Sequence, residues 1–145
     1  IDPSGDVTRV ADDFDKPNGL AFSPDEKFLY VADTGVSHNP KGPKHIRRLA
    51  VNADGKSLGK STVFADCTAG LFDGFRLDRD GRIWTSAGDG VHCYDPDGTL
   101  IGKIRVPELV ANVCFGGPHR NRLFICGTTS LYTVKVFTNG VNRIS

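Results

Sequence analysis

Three polar side chains stand at equivalent places in a repeated sequence pattern and could bind a cation or an oxygen-rich ligand. Asn18 and Asp73 each precede a glycine and then an apolar, strand-like run, and Asn112 opens a third such run. The oxygens of an Asn amide and an Asp carboxylate are hard donors of the kind that Ca²⁺ prefers. The alternative is that Asn-Gly and Asp-Gly are ordinary turn pairs, and their spacing alone favours this alternative.

The segments that must position these residues align with one another. Each has an apolar run that follows the polar residue, then a turn, then a second apolar run. A third strand-like run follows in each unit, and a fourth in the first two, which approaches the period of about 40–45 residues that is typical of propeller blades. The paired runs are 18–22 with 28–32, 73–77 with 82–86, and 112–115 with 122–126.

Dense turn signals between short apolar runs predict an all-β fold. We expect a single partial β-propeller domain over residues 1–145, with about three four-stranded blades that start near residues 18, 73 and 112. A β-sandwich would show similar strand spacing and is the competing architecture. The recurrence of Asn or Asp at the first strand of each unit favours innermost strands that share a central channel.

A propeller closes with about four to eight blades, so three blades would leave two blade faces open. The first five residues resemble the end of a strand followed by a hairpin turn. We therefore expect the chain to be part of something longer, or to obtain the missing blades from another chain or from a second copy in a homodimer.

The composition argues against several classes of partner and site. In 145 residues, 24% are charged and the net charge is +1, which gives no basis for binding nucleic acid or an anionic membrane surface. No apolar run approaches the roughly 20 residues of a membrane span. The four cysteines have no CxxC spacing, so we expect small buried thiols rather than a zinc site. The compartment stays unknown; no leader is recognisable, and the lack of a dense disulfide framework slightly favours the cytoplasm.

Other residues receive less specific expectations. His38 and His45 belong to a Gly- and Pro-rich loop, where a substrate contact competes with ordinary surface exposure. Trp84 is expected in the core. Arg47 and Arg48 are expected on a solvated strand face.

Longer motifs resemble those of the senescence-marker-protein/gluconolactonase/luciferin-regenerating-enzyme family. They correspond to the C-terminal half of the sequences in that family. The resemblance covers nearly the whole chain and implies a six-bladed propeller with a divalent metal at the mouth of its channel. That metal is usually Ca²⁺, with Zn²⁺, Mg²⁺ or Mn²⁺ as alternatives. The motifs are Lys-Pro-Asn-Gly-Leu and its continuation at 16–34, Phe-Asp-Gly-Phe-Arg-Leu-Asp at 72–78 with 81–86, and Asn-Val-Cys-Phe-Gly-Gly at 112–117 with 122–127.

The same resemblance implies roles for the three polar residues. Asn18 and Asp73 match metal ligands, and Asp73 also matches the general base. Asn112 is a candidate substrate-binding residue, although an Asn at a strand start can instead bond to neighbouring backbone. The family's Glu ligand, from its first blade, has no counterpart here.

The implied function is a calcium-dependent hydrolase that opens sugar lactones or other small lactones. The alternatives are a non-catalytic, metal-stabilised binding or scaffold propeller, and an inactive fragment of a lactonase.

Overall fold

A computed structural model describes residues 3–141 and shows an all-β chain, as the sequence predicts. Its only helical element in this range is a short 3₁₀ turn, Gly35–Ser37, and none of the described helices could cross a membrane. The strands are β1 (Pro17–Phe22), β2 (Phe28–Asp33), β3 (His45–Val51), β4 (Leu58–Asp66), β5 (Phe75–Leu77), β6 (Ile83–Ala87), β7 (Gly90–Tyr94), β8 (Leu100–Arg105), β9 (Val110–Gly116), β10 (Arg122–Gly127) and β11 (Leu131–Lys135).

The strands form three antiparallel sheets in which each strand pairs with its neighbour in sequence. The first sheet has the order β1-β2-β3-β4, the second β5-β6-β7-β8, and the third β9-β10-β11. Consecutive pairing through short turns is the up-and-down pattern of propeller blades. The described residues thus form three antiparallel up-and-down sheets, which is consistent with a partial propeller.

The third sheet corrects the expectation of four strands in every blade, because it has three within residues 3–141. After β11 the chain does not fold back along that strand. It turns instead toward the second sheet, where Asn139 accepts a hydrogen bond from the Arg79 N–H (2.9 Å) and Val141 donates to Leu77 O (3.1 Å). These two bonds satisfy the Asn139 carbonyl and the Val141 N–H, which therefore do not pair with β11.

Two apolar layers join the three sheets. Between the first and second sheets, Phe72 and Phe75 are fully buried, and Tyr94 meets Phe72 edge to face at 5.8 Å. Between the second and third sheets, Trp84 lies edge to face on Phe115 at 6.0 Å. Trp84 thus packs against the core as predicted, and the aromatic contacts fix neighbouring sheets face to face.

Residues that precede β1 partly cover the outer face of the first sheet. Phe14 packs against the cluster of Leu29, Val31 and Leu49. The guanidinium of Arg47 lies 4.1 Å from the centre of the Phe14 ring and donates to Asp13 O at 2.9 Å. The expectation that Arg47 faces solvent is therefore wrong: only 8% of the residue is exposed.

The four cysteines differ in burial. Cys67 and Cys93 are buried, as expected, whereas Cys114 and Cys126 are exposed. The exposed pair alternates along β9 and β10 with buried residues such as Val113 and Ile125, so their side chains point away from the second sheet. The prediction of buried thiols fails there because no other described residue covers that face.

Candidate active site at the starts of the inner strands

The three polar residues singled out in the sequence lie at the starts of adjacent inner strands. A side chain at position 19 would collide with the carbonyl of Asp73, and one at position 74 would collide with the amide of Asn112. The Gly74 N–H also donates to Ala111 O at 2.8 Å. Position 19 requires glycine because backbone approaches it closely, and position 74 leaves room for the Asn112 side chain. This close approach brings Asn18, Asp73 and Asn112 to the same end of the inner strands.

Asn18 lies in an irregularity of the first sheet. Pro17 pairs with Asp33 but Leu20 pairs with Val31, so an extra residue stands between these pairs. Such bulges commonly redirect a side chain beside a binding site. Asp33 fixes the approach to the bulge, because its buried carboxylate accepts hydrogen bonds from the backbone N–H groups of residues 15 (3.0 Å) and 16 (2.8 Å).

Asp73 precedes β5 and is positioned by the second strand of its own sheet. Its N–H donates to the hydroxyl oxygen of buried Ser86 at 2.9 Å, and the Ser86 N–H donates to Gly74 O at 3.1 Å. The serine hydroxyl thus continues the pairing beyond the end of the regular ladder. The backbone of Asp73 is fixed while its half-buried carboxylate points toward Asn18.

The electrostatics of Asp73 differ from those of an exposed carboxylate. Burial raises its pKa, and a hydrogen bond from the Asn18 side chain partly opposes that rise. Burial disfavours the charged form, whereas hydrogen bonding to the carboxylate favours it. A carboxylate with a raised pKa is a stronger base, so this residue is suited to accept a proton from a nearby water molecule.

Asn112 lies at the same end of the inner strands, but its side chain already forms one hydrogen bond to neighbouring backbone. It pairs with Cys126 in the third sheet, and its side-chain oxygen accepts a hydrogen bond from the Val113 N–H at 2.9 Å. This contact is the local backbone bond that the sequence left open as the alternative. The residue is nonetheless exposed, so its role in binding substrate stays a prediction.

The donor chemistry of Asn18 and Asp73 fits a hard cation, but the pair supplies only part of a coordination sphere. Ca²⁺ takes about six to eight oxygen ligands. Within residues 3–141, no three His, Cys, Asp or Glu side chains gather closely enough to hold a metal ion. A cation at this position would need further oxygens from water, substrate or protein outside the described range.

The loop histidines have ordinary partners. His38 is exposed, and its Nδ1 lies 2.9 Å from the Ser37 hydroxyl. His45 begins β3, and its Nδ1 lies 3.7 Å from a carboxylate oxygen of Asp66. Neither arrangement adds to the case for a substrate contact.

Residues 1–129 match the family described as the SMP-30/gluconolactonase/LRE-like region. This match covers most of the chain. The chain belongs to this family.

Similar proteins share the fold over nearly the whole chain. A gluconolactonase of Zymomonas mobilis is 29% identical over 97% of this chain and 40% of its own length. A solved gluconolactonase from Xanthomonas campestris is 40% identical, with a TM-score of 0.81 over 92% of this chain and 42% of its own. A solved calcium-binding protein, regucalcin, from Agrobacterium tumefaciens is 29% identical, with a TM-score of 0.75 over 96% of this chain and 51% of its own. The chain thus spans about half or less of each of these relatives.

Sequence reasoning missed two residues of this SMP-30/gluconolactonase-like site, Asp33 and Ser86. Both are buried and both lie at or near the end of the second strand of their sheet. From there each reaches back to the backbone at the start of the inner strand. A weak signal was available, because a polar residue stands near the end of the second apolar run in both repeats, although the two positions differ by one residue.

Proposed function

We propose that this chain carries the general base and two cation ligands of a lactone hydrolase. The observation that carries the proposal is the half-buried Asp73 carboxylate, whose pKa burial raises and the neighbouring Asn18 side chain lowers in part, where three inner strands meet. Relatives named as gluconolactonases support the reaction class. The substrate class that follows is sugar lactones and other small lactones.

The chemistry proceeds by water attack on the lactone carbonyl carbon. Asp73 accepts a proton from water as the oxygen of that water bonds to the carbonyl carbon. The ring C–O bond then breaks, and the departing ring oxygen takes up a proton to give a hydroxy acid. Asn18 orients the Asp73 carboxylate throughout. A divalent cation bound to the Asn18 and Asp73 oxygens would supply Lewis-acid polarisation of the carbonyl.

Calcium is the cation we propose, with Zn²⁺, Mg²⁺ and Mn²⁺ as alternatives. Carboxylate and amide oxygens are hard ligands, and no thiol or imidazole is among the proposed pair. The related regucalcin structure is described as a calcium-binding protein. Asn112, exposed on the neighbouring strand, is the proposed contact to the substrate hydroxyls.

The assembly we propose is half of a six-bladed propeller, a single domain over residues 1–145. The remaining blades would come from further sequence, from another chain or from a second copy in a homodimer. Its support is the exposed outer face of the third sheet, where Leu131 is 69% exposed. An exposed leucine on an uncovered sheet face favours association.

Calcium titration tests the cation and the reaction together. Protein stripped with a chelator is titrated with Ca²⁺ while opening of gluconolactone is followed by acid release. Hydrolysis is expected to rise with bound calcium and to need more calcium in Asn18→Ala, with Asn52→Ala, an exposed turn residue, as the control. Full hydrolysis in the chelated protein would contradict the calcium role.

The same titration addresses a second candidate function, a metal-stabilised binding propeller without turnover. The small number of metal-binding side chains within residues 3–141 favours this second function. For that function, calcium would raise the melting temperature of the protein while no lactone of a panel is opened. That combination would also overturn our proposal of catalysis.

A further inference from the structure

A cavity of about 390 Å³ lies at the opposite ends of the inner strands from Asn18 and Asp73. Its lining is apolar apart from two arginines and one cysteine, and no aspartate or glutamate belongs to it. The residues that matter are Leu20, Arg76, Cys114, Phe115, Arg120 and Val141. Two positive charges thus face a small space with no negative side chain in its wall.

Arg120 is held in place by its backbone. It lies in the turn between β9 and β10 with φ of 49°, a left-handed conformation that few non-glycine residues adopt. Its N–H donates to Gly117 O at 3.0 Å, and its carbonyl accepts from the Gly140 N–H at 2.8 Å. The first bond closes the turn and the second ties it to the segment after β11, so the start of the Arg120 side chain has a fixed position.

The guanidinium of Arg120 lacks a hydrogen-bond acceptor. Its Nε is buried and has no hydrogen-bond partner within residues 3–141, and none of the ion pairs found in that range includes Arg120. A buried donor on a charged group that lacks a partner is strongly unfavourable. Such a group points to an acceptor that completes the site.

Arg76 lies on β5, the neighbouring inner strand, and it too has few side-chain partners. Its NH1 donates to the carbonyl of Phe75 at 2.7 Å, and no described carboxylate forms an ion pair with it. Other arginines of the second sheet differ: Arg82 contacts Asp80 at 2.8 Å and Asp95 at 3.1 Å. The two arginines that line the cavity thus differ from Arg82, because neither forms an ion pair within residues 3–141.

We propose that Arg76 and Arg120 bind an oxyanion, namely a carboxylate, phosphate or sulfonate group, inside the channel. Guanidinium groups match such anions with paired, charge-assisted hydrogen bonds. Arg76 is exposed, whereas the Arg120 Nε is buried, and the low water content beside that buried atom strengthens its attraction to an anion. Arg76 follows Asp73 by three residues, which places this site about 10 Å along the strand from the proposed base.

The anion has two possible sources with the same chemistry. One is a free anion or an acidic group of a small molecule that enters the channel. The other is an Asp or Glu side chain, contributed by a second copy or by protein outside the described residues. Neither source depends on the lactonase proposal, since the site uses different residues.

Isothermal titration with inorganic phosphate at low ionic strength tests the free source. Arg76→Gln and Arg120→Gln are expected to weaken phosphate binding roughly tenfold or more, because each removes a charge-assisted contact. Arg79→Gln and Arg122→Gln remove the same charge nearby without touching the cavity wall and should bind like the wild-type chain. Arg120→Lys, which keeps the charge but loses Nε and the planar fork, should also bind more weakly.

Native mass spectrometry and melting temperatures of the same variants, without added phosphate, test the side-chain source. If a protein carboxylate fills the site, phosphate will not bind, and both cavity variants will lower the melting temperature or the oligomer fraction relative to the two controls. If phosphate does not bind and the cavity variants behave like the controls, the proposal is overturned. Lactone hydrolysis is not measured in either arm, so failure of this site is distinguishable from failure of the proposed function.

Discussion

The two ends of strand β5 carry two carboxylates with opposite environments. Asp73, before the strand, is half buried, and the neighbouring Asn18 side chain partly opposes the rise in its pKa that burial causes. Asp78, after the strand, is fully buried and accepts hydrogen bonds from the N–H groups of Asp80 (3.0 Å) and Arg82 (2.9 Å) and from Trp84 Nε1 (3.0 Å). One carboxylate is sparsely bonded and the other is surrounded by donors.

This contrast separates the acid that we propose to be functional from a structural one. Each oxygen of Asp78 accepts at least one bond from its own hairpin, so its charge is used to fix the turn between β5 and β6. Asp73 retains free acceptor sites toward the channel, and burial raises its pKa. A partly satisfied carboxylate that faces solvent-accessible space is the one that can bind a cation or take a proton.

The largest expected effect is on catalysis, from Asp73→Asn. Removing the proposed base should slow lactone hydrolysis by about 10²–10⁴-fold. The free energy of unfolding should change by less than about 1 kcal/mol, because the amide loses few hydrogen bonds. Rates and urea unfolding are measured in the shortest form of the protein that opens lactones. Near-normal hydrolysis by this variant would remove Asp73 from its assigned role.

The matched change at the other end of β5, Asp78→Asn, should reverse this pattern. An amide cannot accept all three hydrogen bonds, and the nearby Arg82 guanidinium, 3.5 Å away, loses its buried counter-charge. We expect a loss of roughly 3 kcal/mol in the free energy of unfolding. Under conditions where the variant remains folded, its hydrolysis rate should stay within about threefold of wild type. A variant that is stable but inactive would break the distinction between the two ends.

A third acid, Asp89, extends the comparison to pH. Its carboxylate contacts His92 Nε2 (2.6 Å), Lys103 Nζ (3.0 Å) and Arg105 NH1 (3.1 Å). Burial acts to raise its pKa, but the hydrogen bonds from His92 and Lys103 prevail and lower the pKa to about 2. In the number of donors around its carboxylate, Asp89 resembles Asp78 rather than Asp73.

The sign of the pH effect follows from the lowered pKa. An unfolded aspartate titrates near 3.8, so Asp89 stabilises the fold above about pH 4, and this stability is lost as the pH falls toward 2. Asp89→Asn should cost about 1–2 kcal/mol near neutral pH, and its difference from wild type should shrink across that window. Asp12→Asn, at a carboxylate that is 66% exposed, should show little difference at any pH. A pH-independent difference for Asp89→Asn would show that its charge is not what stabilises the fold.

Sequence reasoning located the inner strands because their polar starts repeat. The positions of Asn18, Asp73 and Asn112 follow from one polar residue before each apolar run, and the all-β class follows from turn spacing. The family resemblance, rather than spacing, supplied the roles of Asn18 and Asp73, since Asn-Gly and Asp-Gly are also common turns.

Other features depended on contacts between residues far apart in the sequence. The burial of Arg47 requires the ring of Phe14, which packs on it from the segment before β1. The three-stranded third sheet results from residues 136–141 turning toward Leu77 instead of pairing with β11. The cavity arginines lie in different sheets, and only the folded chain shows that neither has an acidic partner.

The smallest expected effect comes from Trp84→Phe. This substitution separates the ring packing of Trp84 from its hydrogen bond to Asp78. Phenylalanine keeps an aromatic ring against Phe115 but cannot donate to Asp78, so one oxygen of the buried carboxylate loses its donor. We expect about 1 kcal/mol of destabilisation in urea unfolding, clearly less than for Asp78→Asn. Combining the two substitutions should cost less than their sum, because both remove the same hydrogen bond. Strict additivity in this double-mutant cycle would mean that the Trp84–Asp78 bond does not stabilise the hairpin, and the structural assignment of Asp78 would then rest on the backbone donors of its turn alone.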